Sequence, residues 1–142
     1  MTSMSRRCCA RFSLMTDPQP YRLRGIRGAT TVEHDVAEEI LGATRELLSA
    51  LVAANDLEPS DIVSAIFTVT RDLCATFPAR ASQGFGWDEV AILHTTEIPV
   101  PGSLPRCIRV LVHAYTTRTP SQIKHCYLRE AKTLRPDRAG DR

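Results

Sequence analysis

Apolar positions alternate with polar ones along several stretches of the chain, and along one longer stretch they recur at helical spacing. The clearest alternation is "CIRVLVHAY", residues 107–115. Ile108, Val110, Val112 and Ala114 share one face of this predicted strand, and Cys107, Arg109, Leu111, His113 and Tyr115 share the other. "YRLRGIRGA", residues 21–29, reads as the first strand. It sets Arg24, Ile26 and Gly28 on one face against Gly25, Arg27 and Ala29 on the other. Glycine weakens a strand unless a close approach or a bend is needed. Taken alone, this segment reads as an edge strand carrying a solvated arginine.

A helix is predicted over residues 36–55, where Val36, Ile40, Leu47 and Leu51 form a stripe filled in by Ala43 and Thr44. Asp35 is its expected N-cap, with Glu38 completing a capping box. "LEPSD" is a loop, and "DIVSAIFTVT" is a strand apolar enough to be buried on both faces. "FPARASQGFGW" predicts a short proline-initiated helix and a loop, and "EVAILHTTEIPV" a strand running into the turn "PGS". Beyond "CIRVLVHAY", Thr119 is expected to cap a helix "TPSQIKHCYL" with Pro120 at its first position. "AKTLRPD" is a final extended piece. This order predicts an α+β fold, a mixed sheet with helices packed on one side.

A length of 142 residues suits one domain with a substantial core. No apolar run approaches the roughly 20 residues of a membrane helix, so no membrane role is expected. The net charge of +2 lies wholly in residues 1–20, where Arg6, Arg7 and Arg11 face only Asp17. The rest balances 15 basic against 15 acidic side chains. A neutral body argues against nucleic acid as a partner. Residues 1–20 lack periodicity and are expected to form a disordered extension, resembling a transit peptide or reflecting a start set too far upstream. The folded domain is expected over residues 21–138, with 139–142 as a tail. The five cysteines show no C-x-x-C and no zinc spacing. Cys107 and Cys126 read as small buried hydrophobes of a reducing, cytoplasmic compartment.

The polar residues at predicted strand ends are Arg27, Arg80, Glu97, Tyr127 and Arg135, with Arg109 on an otherwise neutral strand face. A partly buried arginine needs an anionic or strongly accepting partner. There is no nucleophile elbow, no pair of carboxylates at helical spacing and no phosphate loop, and the histidines lack metal spacing. An arginine-rich set without a nucleophile suits a small polyanion such as a dicarboxylate.

These residues lie in recognisable motifs. "RGIRGATTVEHD", "FPAR", "EIPVPGSLPRCIRVL" and "KHCYLREAKTLRPD" resemble, in order and spacing, the monofunctional chorismate mutases of the Bacillus type. The resemblance implies a homotrimeric pseudo-α/β barrel with active sites at subunit interfaces. It implies rearrangement of chorismate to prephenate in phenylalanine and tyrosine biosynthesis, with no cofactor and no metal. It assigns Arg27 to a substrate carboxylate, the glycines beside it letting the backbone pass close to ligand and partner subunit. It assigns Arg109 to the ether oxygen, Glu97 to the substrate hydroxyl and Tyr127 to the carboxylate end. Phe77 and Ala79 match an apolar wall, and Leu134 and Arg135 a closing C-terminal segment. Arg80 stands where lysine is usual and His94 where cysteine is common. The loop before Trp87 is one residue short, and Gln83 is nearest to a further arginine of the family. Two alternatives stay open. One is a trimeric small-anion-binding or imine-hydrolysing protein of similar architecture. The other is a catalytically weak regulatory homologue.

Overall fold

The computed structural model describes residues 20–135. The expectations for the N-terminal extension and the C-terminal tail therefore fall outside the described residues, apart from Pro20. The elements are β1 (Arg22–Thr31), α1 (Ala37–Asn55), β2 (Ile62–Val69), β3 (Ala91–Thr96), β4 (Cys107–Thr116) and β5 (Cys126–Tyr127). They form a five-stranded sheet in the order β3-β2-β4-β1-β5. The central β4 runs antiparallel to β1 and β2, while β3 and β5 run parallel to their neighbours. The α+β class holds, with one α-helix and three short 3-10 turns among the described residues.

Alternation decides which face is covered. On β4, Ile108, Val110, Val112 and Ala114 are all buried, as the pattern predicts. Val110, Val112 and Ala114 meet Ile26 of β1, Ala65 and Phe67 of β2, and the Leu47, Leu48 and Leu51 stripe of α1, while Ile108 packs with Ile40 and Ala43 of the same helix. This is the inner face of the sheet. Gly28 also points inward. A Cβ there would stand 3.1 Å from Leu47 and 3.2 Å from Leu51. Its missing side chain thus admits the helix, which corrects the expectation that it makes room for a ligand. The expected double burial of β2 is also corrected. Ala65 and Phe67 are buried, but Ser64, Ile66 and Thr68 are half-buried, because nothing covers their face within one chain, and Val63 is exposed at an irregularity in the pairing with β4.

Three further expectations give way to long-range bonds. Asp35 does not cap α1. Its carboxylate accepts the Cys74 and Ala75 amides, both at 2.9 Å, and the Cys74 thiol at 3.2 Å. The thiol bond leads in holding Asp35 below the usual carboxylate range, and it raises the thiol in turn. Val36 is the N-cap, and Glu39 accepts the His34 amide at 2.9 Å. Residues 119–128 make a single turn at Thr119 and then run extended. The buried Asn55 side chain bonds both the N–H and the C=O of Lys124 at 2.8 Å, and Cys126 and Tyr127 then pair with Gly28 and Ala29. Arg129–Leu134 coils into a 3-10 turn instead of extending, which seats Ala131 against Ala29 and Tyr127. β1 is therefore an edge strand only along its first half. There the Arg27 amide donates to His125 Nδ1 at 2.9 Å.

Candidate active site

The outer face of the sheet carries the chemistry. The register sets Arg109 of β4 between Ala29 of β1 and Thr68 of β2, with Arg27 two residues along β1, opposite Leu111. β5 brings Tyr127 beside Ala29. Glu97 follows β3, and its amide donates to the Val69 carbonyl at 2.9 Å, which holds it at the end of β2. Together these strands line a cavity of about 200 Å³ that holds Arg27, Thr68, Glu97, Arg109 and Tyr127.

Arg109 Nε lies 3.2 Å from Glu97 Oε1, and both side chains are largely covered. The contact is an ion pair without hydrogen-bond alignment, so the buried Nε lacks an aligned acceptor. Thr68 Oγ1 donates to the same Glu97 oxygen. The Tyr127 hydroxyl is buried and has no hydrogen-bond partner among the described residues. A buried donor without a partner is costly to keep. Two such donors at one cavity, with two guanidiniums against one carboxylate, form a site built to receive an anion with accepting oxygens.

The remaining predicted residues fall into two groups. Leu134 packs against the Ala29, Tyr127 and Ala131 cluster, two members of which line the first cavity, but does not line it itself; half-buried Arg135 is next in the chain. Phe77, Ala79, Arg80 and His94 gather elsewhere. On β3, Leu93 faces outward and His94 inward, opposite Phe67. The His94 ring centroid lies 5.8 Å from that of Phe67 and 5.0 Å from that of Phe77. The Ala79 amide donates to His94 Nε2 at 3.3 Å, which sets the neutral tautomer with its proton on Nδ1. Burial pushes the imidazole below its ordinary value, in the same direction. Phe77, Arg80 and His94 line a second cavity of about 550 Å³, where Arg80 donates to Thr76 Oγ1 at 3.1 Å. Gln83 is exposed at the end of the 3-10 turn and does not line it. The two groups of predicted residues thus lie at separate cavities of one chain, with Arg109 on the outer face of the sheet and His94 on the inner face.

A further cavity, about 750 Å³ between the end of β1 and α1, contains none of the predicted residues. Its arginines are already engaged: Arg106 with the Val32 carbonyl at 3.2 Å, and Arg129 with the Thr31 carbonyl and with Glu46. Thr68 is the site residue that sequence reasoning missed. The signal was present, since Ser64 and Thr68 are polar on one face of β2, four residues apart in an otherwise apolar run.

Residues 23–138 match the family model for chorismate mutase type I. Over 116 residues the chain is 50% identical to the chorismate mutase AroH of Thermus thermophilus, covering 81% of this chain and 95% of that protein. It is 44% identical to the chorismate mutase AroH of Bacillus subtilis, again over 116 residues, covering 81% of this chain and 91% of the relative. Among solved structures, a chorismate mutase from Clostridium thermocellum matches with a TM-score of 0.76 at 50% identity. That match covers 78% of this chain and 99% of the other. In sequence and in fold, the chain belongs to the type I chorismate mutase family.

Proposed function

We propose that the chain rearranges chorismate to prephenate in a site completed by a second copy of itself. The observation that carries this reading is the outer-face cavity. It joins Arg109 and Glu97 at 3.2 Å, leaves the Arg109 Nε and Tyr127 hydroxyl donors without aligned acceptors, and includes Arg27.

A [3,3] rearrangement breaks a C–O bond as a C–C bond forms. It needs no nucleophile and no proton transfer. It needs the enolpyruvyl side chain folded over the ring, and that is a matter of positioning. It also needs stabilisation of the negative charge that builds on the ether oxygen. Arg27 and Tyr127 hold the carboxylate end, Glu97 accepts the substrate hydroxyl, and Arg109 meets the ether oxygen. Arg109 acts more strongly on the transition state than on the bound substrate, because the oxygen gains its charge only as the bond breaks.

The partner copy brings Phe77 and Ala79 as the apolar wall and Arg80 and His94 as polar contacts. Phe77 and Leu93 are 66% and 63% exposed in the single chain, and Leu23 and Tyr115 are also uncovered. Such side chains favour burial against another surface. Because the half-sites lie on opposite faces of the sheet, the contact joins two different surfaces head to tail. Such a contact generates a ring where its rotation closes, and the family resemblance supports a ring of three. Leu134 and Arg135 close the carboxylate end. Among the described residues Cys74, Cys107 and Cys126 are free thiols, which fits a cytoplasmic location, and no helix is long and apolar enough to cross a membrane.

The test is direct. Purified protein should consume chorismate and release prephenate, and it should sediment as a trimer. A protein that binds small anions or hydrolyses imines but leaves chorismate untouched would refute the reading.

A further inference from the structure

We propose that Thr68 is a positioning residue for the rearrangement: its hydroxyl fixes the Glu97 carboxylate so that one oxygen stays on Arg109 and the other meets the substrate. The inference rests on the mutase reading of this site.

Thr68 is the residue of β2 directly opposite Arg109, and it lines the same cavity. The Glu97 backbone is tied one residue further along β2, by its amide bond to the Val69 carbonyl at 2.9 Å. Its side chain then turns back over the sheet. Oε1 accepts from Thr68 Oγ1 and lies 3.2 Å from Arg109 Nε. One oxygen is therefore engaged from two sides, by a hydroxyl and by a cation.

A carboxylate beside a guanidinium tends to pair through both oxygens. In that geometry Glu97 would saturate the cation needed at the ether oxygen, and neither carboxylate oxygen would face the substrate hydroxyl. The Thr68 hydroxyl competes with that arrangement. A threonine on a strand has a restricted χ1, so its donor sits in a nearly fixed direction. A hydroxyl donates one hydrogen bond and a carboxylate only accepts, so the polarity of this contact is set. Small misplacements of reacting or orienting groups are expensive in rate, so the effect belongs in kcat more than in KM.

Thr68→Val keeps the shape and the strand preference but removes the donor. Thr68→Ser keeps the donor. The valine variant should lose about tenfold or more in kcat with a smaller change in KM, and the serine variant should stay close to wild type. In a Glu97→Ala background, Thr68→Val should add almost nothing. Equal behaviour of valine and serine, or a valine loss that persists without Glu97, would overturn the proposal. Wild-type protein without chorismate turnover would instead overturn the mutase reading. In that case a crystal structure of Thr68→Val still decides the contact. The Glu97 carboxylate should turn to pair with Arg109 through both oxygens, and a carboxylate that keeps its wild-type position would overturn the inference.

Discussion

At the scale of single residues, Arg109 and Arg27 are both guanidiniums on one face, yet their environments predict different phenotypes. Arg109 is largely covered and set against Glu97, while Arg27 is exposed on β1. A cation in a less polar setting acts more strongly on charge that develops during reaction. Arg109→Ala should therefore lower kcat by about 10²–10³ or more and raise KM much less. Arg109→Lys keeps the charge without the planar fork and should fall between. Arg27→Ala should mainly raise KM, since a carboxylate is charged in substrate and transition state alike. Steady-state kinetics with chorismate separate these outcomes. His94 has a different signature. Its Nε2 accepts the Ala79 amide at 3.3 Å, so protonation would set a donor against a donor. Burial lowers its folded-state value below the ordinary 6.5, so the unfolded chain binds more protons between the two values. Stability from neutral His94 is complete above the unfolded value and is lost as pH falls through it towards the folded one. Melting temperatures measured between about pH 7.5 and 5 should decline in the wild type and decline less in His94→Cys. Turnover of that variant should stay within about tenfold if, as proposed, the imidazole is a contact and not a proton carrier.

At the scale of elements, the two glycines around Arg27 serve opposite faces of β1. Gly28 faces α1, where an added Cβ would meet Leu47 at 3.1 Å, Leu51 at 3.2 Å and Val110 at 3.3 Å. All three neighbours are buried branched side chains with little room to give. Gly28→Ala should therefore cost about 1–3 kcal/mol through overpacking, seen as a lower melting temperature. Gly25 faces outward, and its added Cβ would lie in ordinary contact with Leu111 at 3.5 Å. Gly25→Ala should leave the fold of the single chain intact, and any effect should appear in assembly or in KM. Equal melting temperatures for the two variants would contradict this division of the sheet. The helix that packs on Gly28 was legible in advance. Its stripe places it over residues 36–55, and it occupies Ala37–Asn55. Its N-cap was not legible, because Asp35 has a better use in bonding the Cys74 and Ala75 amides.

At the scale of the whole molecule, the proposal of a site shared between copies makes a prediction that no single chain can satisfy. Arg109→Ala damages the half-site on the outer face, and Arg80→Ala damages the other. Each variant alone should be weakly active. Mixed trimers of the two should regain activity, because a head-to-tail ring leaves about a quarter of the interfaces with both halves intact. The measurement is turnover after co-expression or joint refolding in equal amounts. Mixed protein no more active than the average of its parents would show that each chain carries its own complete site.

The sequence by itself determined the period-two faces of β1 and β4, the span of α1 and the α+β class. In each, a local repeat of apolar side chains must be buried on one side, so the pattern carries the answer. It also carried the family, through motifs containing Arg27, Glu97, Arg109 and Tyr127. Only the tertiary structure decided the path of residues 119–134. Their helical and extended preferences are weak, and the bonds that overrule them come from Asn55 and from Gly28 and Ala29, far away in the chain. The tertiary structure likewise placed the Thr68 hydroxyl on Glu97, a contact set by the register of β2 against β4 and by the turn after β3. It set His94 on the face opposite Arg109 for the same reason. Alternation says which residues of one strand share a face, but the pairing between strands says which face of the sheet that is.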